Sequence, residues 1–239
     1  MSDQRIAMVT GAGTGIGRAV AERLAHESYM VALVGRRRSV LNQAAEAITA
    51  ATGNPDAARA FPTDVADPDS CVALVRSVRK AYGRVDVLIN NAGVAELWPL
   101  DSISVDQIRT TLEVNLMGPI LLVRELWPVF AEQGKGCVVN VSSMSTVDPF
   151  PGLGVYGAAK SGLEGLTRAV MAERGKIDLR AFSVAPGAVE TEMLRSMFSA
   201  DDLGRERTLS PDEVAGVIVD CVLGRREEDL GRTILLPSP

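Results

Sequence analysis

Along the chain, short runs of apolar and β-branched residues alternate with longer stretches in which apolar positions recur every three or four residues. The short runs predict strands near residues 6–10, 30–34, 58–61, 85–89, 137–141, 179–184 and 233–236. The longer stretches predict helices near 16–27, 40–51, 69–82, 105–132, 156–174 and 211–223. Val85-Asp-Val-Leu-Ile89 and Cys137-Val-Val-Asn-Val141 read as strands buried on both faces, as parallel strands between helices are. Strand–helix alternation throughout predicts right-handed crossovers and an α/β doubly wound fold, a seven-stranded parallel sheet with helices on both faces.

No repeat, low-complexity tract or Pro/Ser-rich linker interrupts this pattern, so residues 1–239 are expected to form a single domain. With 46% hydrophobic residues, a chain of this length can bury a substantial core. The least regular stretch, about 187–207, follows a strand and contains Met193, Leu194, Met197 and Phe198. Ligands of open α/β sheets sit beyond the carboxyl ends of strands, so this segment is expected to be a mobile lid over substrate or, more plainly, a connecting loop.

Charge and cysteine usage narrow the function classes. A net charge of -5 gives no electrostatic reason to expect nucleic acid or an anionic membrane surface. Cys71, Cys137 and Cys221 are odd in number and scattered, and His26 is the single histidine, which argues against a disulfide framework and against a metal site. The N-terminus shows no signal-peptide pattern, and there is no uninterrupted apolar stretch of about 18 residues. A soluble cytoplasmic protein with buried thiols is expected.

Four glycines, Gly11, Gly13, Gly15 and Gly17, crowd the exit of the first predicted strand within Thr10-Gly-Ala-Gly-Thr-Gly-Ile-Gly17. Glycine is required where backbone turns with φ > 0 or approaches phosphate closely, and a helix N-terminus favours an anion. Position after the first strand of a βαβ series turns a weak signal into a Rossmann-type dinucleotide site. The second strand ends Val34-Gly-Arg-Arg-Arg38. Gly35 removes the carboxylate that often selects NAD here, and Arg36 offers a guanidinium to a 2′-phosphate. Cations at the start of the next helix oppose its dipole by about 0.3–1 kcal/mol each, which a bound anion relieves. The alternative is three solvated arginines; the reading favours NADP(H), with NAD(H) possible.

Tyr156 and Lys160, four residues apart, share a helix face. A free phenol, with pKa near 10, donates poorly at neutral pH, and an adjacent ammonium favours its phenolate. Ser143 leaves the fifth predicted strand, thirteen residues before Tyr156, and its hydroxyl can stabilise charge on a substrate oxygen. A Tyr-x-x-x-Lys pair alone is ordinary surface; the glycine loop, the strand exit and the order give it chemistry. Asn115 lies mid-helix, and Pro119 cannot donate to its carbonyl, which leaves that carbonyl free for water or marks a simple kink.

The Thr10–Gly17 loop, Asp64, Asn90-Asn-Ala-Gly93, Asn115, Ser143, Tyr156 with Lys160, and Pro186-Gly-Ala-Val-Glu-Thr191 together resemble the classical short-chain dehydrogenase/reductase family over nearly the whole chain. The resemblance implies Tyr156 as acid/base, Ser143 as the group polarising the carbonyl, Lys160 on the nicotinamide ribose, and Asn115 holding a water that links Lys160 to solvent. It implies a cofactor site built from Gly11, Thr14, Gly15, Ile16, Gly17, Arg36, Arg37, Asp64, Val65, Asn91, Ala92, Gly93, Tyr156, Lys160, Pro186, Gly187, Val189 and Thr191. Two departures stand out: Thr14 replaces a basic residue of some NADP-using relatives, and the tail Gly231-Arg-Thr-Ile-Leu-Leu-Pro-Ser-Pro239 lacks an Asp-Gly-Gly ending.

The expected activity is NADP(H)-dependent interconversion of a carbonyl and an alcohol. NAD-linked alcohol oxidation, or a silent dinucleotide-binding regulator, are the alternatives. Ser143, Met144, Phe150, Tyr156 and Met193 are the expected substrate contacts, with Val147, Leu153, Glu96, Trp98 and Leu194 around them, suiting a mainly apolar small molecule. Small residues along the helix from Tyr156 point, with the resemblance, to a homo-dimer or homo-tetramer.

Overall fold

The computed structural model describes residues 4–239. Among these, seven parallel strands form one sheet: β1 (Ile6–Thr10), β2 (Met30–Gly35), β3 (Ala58–Pro62), β4 (Val87–Asn90), β5 (Lys135–Val141), β6 (Asp178–Pro186) and β7 (Thr233–Leu236). Their order is β3-β2-β1-β4-β5-β6-β7. The chain winds one way from β1 to β3 and the other way from β4 to β7, so β1 and β4 lie side by side, Ala7 against Val87 and Val9 against Ile89. A crevice opens at that reversal, beyond the carboxyl ends of both strands.

The helices are α1 (Gly15–His26), α2 (Arg38–Thr52), α3 (Pro68–Tyr82), α4 (Val105–Leu112), α5 (Gly118–Gln133), α6 (Gly154–Glu173), α7 (Glu192–Met197) and α8 (Pro211–Val222). The period of two along each strand divides the core. Ala7, Val9, Val31, Leu33, Val87 and Ile89 face α1, α2 and α8, where they meet Val20, Leu24, Leu41, Ile48, Val214 and Ile218. Their neighbours Ile6, Met8, Ala32, Val34, Leu88 and Val138 face α3, α5 and α6, where they meet Leu74, Val78, Leu122, Leu126 and Val170. Each large aliphatic side chain so buried stabilises the fold by about 1.5–3 kcal/mol.

Predicted β4 loses its first two residues. Asp86 turns its carboxylate to the N–H of Ile6 at 2.8 Å and to Arg84 at 2.9 and 2.5 Å, while its backbone still bonds Ile6 and Cys137, which ties the start of β1 to the entry of β4. The predicted helix over 105–132 is also interrupted. It runs as α4, a π-helical turn at Glu113–Met117, and α5. Pro119 lacks the N–H that Asn115 would need, and Gly118 donates instead to Glu113, five residues back. Taken whole, Val105–Gln133 is long and apolar enough to cross a membrane by length and composition, but half of its apolar window is buried in this fold. Leu122, Leu126, Val129 and Phe130 are core residues of the α3/α5/α6 layer.

The segment about 187–207 is more regular than the sequence predicts. It holds α7, started by Thr191, whose Oγ1 accepts from the Leu194 N–H at 3.2 Å, and a 3₁₀ turn at Arg205–Arg207. A bridge between Val189 and Leu209 closes its base, with Glu190 N–H donating to the Leu209 carbonyl at 2.9 Å.

Candidate active site

The exit of β1 folds into a glycine cradle. Gly11 and Gly15 take φ of +65° and +53°, open to glycine and strained for other residues. A Cβ on Gly17 would stand 2.3 Å from the Gly11 carbonyl oxygen and 2.4 Å from Asn91 Nδ2, so only glycine permits this approach of loop, helix and the β4 exit. Thr10 Oγ1 accepts from the N–H groups of Asn91 and Ala92, both at 2.9 Å, and Asn91 Nδ2 donates to the Thr10 carbonyl at 2.9 Å. These bonds stitch the two strand exits together at the crevice floor.

α1 starts from this loop with no side-chain cap and no acidic residue in its first turn. α2 starts at Arg38, not at Val40 as the periodicity predicts, and it too lacks a cap and a first-turn acid. Two helix amino ends without carboxylates leave positive dipole ends open to an anion. In contrast α3, away from the cradle, is capped by Asp67. Arg36 has no ion-pair partner among the described residues. Arg37 lies 3.7 Å from Glu192 on α7, both well exposed.

A cleft runs between these elements, lined by Gly11, Thr14, Arg36, Arg37, Asp64, Val65, Ala92 and Gly93, eight of the residues expected at a cofactor. Sequence reasoning missed Val40, Leu41, Thr63, Val94 and Val114, which also line it. Their signal was adjacency: each neighbours a glycine, arginine or polar residue already singled out, or sits in the first turn of α2. Gly15, Ile16 and Gly17 form the start of α1, and Thr191 lies across the gap, its Cγ2 only 3.0 Å from where a Gly15 Cβ would be. Gly187 is placed differently. Its N–H donates to the Leu236 carbonyl and a Cβ would meet Ser238 N at 2.8 Å, so the tail of the chain packs closely against this glycine.

On the opposite wall, β5 ends at Val141 and delivers Ser143, whose Oγ accepts from the Ser145 N–H at 3.2 Å. α6 begins at Gly154, two residues before the predicted start, which puts Tyr156 in its first turn and Lys160 one turn deeper. Asn140 on β5 donates to Thr167 Oγ1 on α6 at 2.9 Å and so fixes the helix against the strand that carries Ser143. Lys160, 3% exposed, donates from Nζ to the Val141 carbonyl at 2.7 Å and lies 5.5 Å from the Tyr156 ring centre. Asn115, fully buried in the π-helical turn, accepts from the Val94 N–H at 3.2 Å and donates to the carbonyls of Val94 and Thr111. A Cβ on Gly93 would stand 2.7 Å from Asn115 Oδ1 and 3.6 Å from Lys160 Nζ, which brings both walls to one point.

The electrostatics differ from the expectation of an acidic phenol. Burial pushes Tyr156 up to about 12, with the Ser143 hydrogen bond opposing. Burial also pushes Lys160 down to about 8. With the ammonium bonded to Val141 and several ångströms from the ring, desolvation dominates both groups.

A sequence profile of the short chain dehydrogenase family matches residues 5–202. The chain belongs to the short-chain dehydrogenase/reductase family. An uncharacterized oxidoreductase of Mycobacterium tuberculosis is 34% identical over 224 residues, covering 92% of this chain, which spans 64% of that relative's length. The D-threitol dehydrogenase of Mycolicibacterium smegmatis is 33% identical over 225 residues, covering 91% of this chain and 85% of its own. Among solved structures, a 3-ketoacyl-(acyl-carrier-protein) reductase from Brucella melitensis complexed with NADH superposes with a TM-score of 0.90 at 26% identity, covering 99% of this chain and 98% of the other. An alcohol dehydrogenase from Thermococcus sibiricus complexed with 5-hydroxy-NADP gives 0.87 at 28% identity, covering 99% and 97%.

The residues expected at the substrate are placed as follows. Met144 starts a 3₁₀ turn directly after Ser143. Phe150, 49% exposed, meets Phe198 edge to face, with ring centroids 5.2 Å apart at 88°. Met193 is surface-exposed on α7, while its neighbour Leu194 is buried.

Proposed function

We propose that this protein is an NADP(H)-dependent oxidoreductase that interconverts a ketone or aldehyde with the corresponding alcohol. The observation that carries the reading is the convergence of Ser143, Tyr156, Lys160 and Asn115 on one wall of a crevice whose other wall is the glycine cradle. The cradle fits a dinucleotide: close backbone approach, open amino ends on α1 and α2, and an Arg36 with no ion-pair partner among the described residues. A bound nicotinamide dinucleotide supplies or accepts the hydride. Gly11, Thr14, Gly15, Ile16 and Gly17 would hold its phosphates; Arg36, Arg37, Asp64 and Val65 its adenosine end; Asn91, Ala92, Gly93, Pro186, Gly187, Val189 and Thr191 its nicotinamide half.

In the reducing direction Tyr156 gives its phenolic proton to the substrate oxygen, and in the oxidising direction it takes that proton back. Ser143 donates a hydrogen bond to the same oxygen as charge develops there. Lys160, when charged, favours the phenolate. Met144, Phe150 and Met193 would border the rest of the substrate.

NAD(H) is the second reading. It is favoured by the NADH complex of the Brucella melitensis reductase and by Glu192, which engages Arg37 and leaves Arg36 alone for a 2′-phosphate. Comparing kcat/KM for NADPH and NADH in wild type and Arg36→Ala decides between them. A fall of about tenfold or more in NADPH preference supports the arginine's role; an unchanged ratio assigns the protein to NAD(H). Dinucleotide binding with no turnover over a panel of ketones, aldehydes and alcohols would make it a non-catalytic binder instead.

A homo-dimer or homo-tetramer fits the exposed apolar Val105 and Ile120 on α4 and α5. Light scattering on the purified protein tests this, and a monomer at micromolar concentration contradicts it.

A further inference from the structure

The segment between Val189 and Leu209 is organised around one side chain. Arg195, 21% exposed, donates from Nε and Nη2 to the two oxygens of Glu190 at 2.9 and 2.5 Å. Its Nη1 donates to the carbonyls of Ser199 at 3.0 Å and Leu203 at 2.7 Å. A single planar fork therefore ties the first residue past the Val189–Leu209 bridge to the turn that follows α7. Ser199 is the residue immediately after Phe198, and Phe198 packs edge to face on Phe150. Phe150 in turn belongs to the loop that leads from Ser143 into α6, six residues before Tyr156. Without the fork, the Ser199 and Leu203 carbonyls lose a donor, and the ties left to the stretch around Phe198 include Asp202 to Ser199 and the looser Arg205–Glu190 pair at 4.0 Å.

We infer that Arg195 is a positioning residue for substrate selection: by clipping the turn after α7 to Glu190 it holds Phe198 against Phe150, and that aromatic wall favours carbonyl compounds bearing a flat apolar group. This deepens the carbonyl-reductase reading and rests on it. Neither Arg195 nor Glu190 touches substrate; their effect passes through the Phe198 ring. Lysine cannot replace the arginine, because an ammonium has no fork to span a carboxylate and two carbonyls.

The test uses the full chain with saturating dinucleotide and two ketones, acetophenone and butanone. Phe198→Ala is expected to lower kcat/KM for acetophenone by about tenfold through KM, leaving butanone within about twofold. Arg195→Gln and Arg195→Lys should show the same loss of discrimination with kcat and dinucleotide affinity unchanged. In the double variant, Arg195→Gln should add nothing to Phe198→Ala, since it acts through that ring. Retained discrimination in Phe198→Ala, additive losses in the double variant, or an equal fall for both ketones in Arg195→Gln overturns the assignment. Should Arg195→Gln not fold, Arg195→Lys, which keeps the charge without the fork, decides in its place. A wild type that reduces no carbonyl compound at all defeats the reaction class itself, a different result from a working enzyme indifferent to these residues.

Discussion

Lys160 donates from a buried Nζ to the Val141 carbonyl at 2.7 Å, so the ammonium 5.5 Å from the Tyr156 ring is held by β5, the strand that leads to Ser143. Such an ammonium is costly to keep in the folded protein. Its pKa falls from 10.5 to about 8 on burial, a linkage on the order of 3 kcal/mol. The folded state binds fewer protons at Lys160 than the unfolded chain between those values. Stability from this group therefore rises as pH climbs from about 8 towards 10.5, and the cost is fully present below about 8. Tyr156 acts oppositely at higher pH: its folded value near 12 exceeds the unfolded 10, so it removes stability across that window. Urea unfolding of Lys160→Met at pH 7.5 should show stability equal to or above wild type, together with loss of turnover. A variant destabilised by several kcal/mol contradicts a desolvated ammonium.

The glycine cradle makes a sharper contrast. Gly17→Ala puts a methyl 2.3 Å from the Gly11 carbonyl oxygen, so the backbone must shift, at a cost of about 1–3 kcal/mol with dinucleotide affinity lost. Gly53→Ala, at φ +66° with nothing within 4 Å, should cost about 1 kcal/mol and leave affinity intact. Thermal melts with and without dinucleotide separate the two; equal effects on binding would contradict the cradle.

Much of this was legible in the sequence because the sheet is buried on both faces. Apolar runs bounded by glycine, proline or charge can be little else, and no strand end differs from expectation by more than two residues. Glycines with a φ or a contact that no other residue tolerates, such as Gly11 and Gly17, were equally readable. What escaped was set by contacts distant in sequence. α7 is too short for periodicity and depends on the Thr191 cap and the Arg195 fork. The π-helical turn was foreshadowed by Pro119, but its partner Val94 was not. The upward shift of Tyr156 depends on burial that a spacing of four residues does not report.

The three cysteines offer a control on the core. Burial pushes Cys71 and Cys137 up to about 11 and Cys221 up to about 12. Thiolate is scarce at pH 8 and each sulfur is enclosed. A thiol reagent such as dithionitrobenzoate should react with none of them in the native protein and with all three in urea. Rapid labelling of the native protein contradicts the packing described for both layers.

The central claim is that the Tyr156 hydroxyl moves the proton. Turnover of Tyr156→Phe, followed by NADPH absorbance with a ketone that the wild type reduces, tests it most directly. A loss of about 10²–10⁴-fold in kcat is expected, with dinucleotide affinity and melting temperature retained. A phenylalanine variant that folds, binds dinucleotide and turns over at the wild-type rate contradicts it.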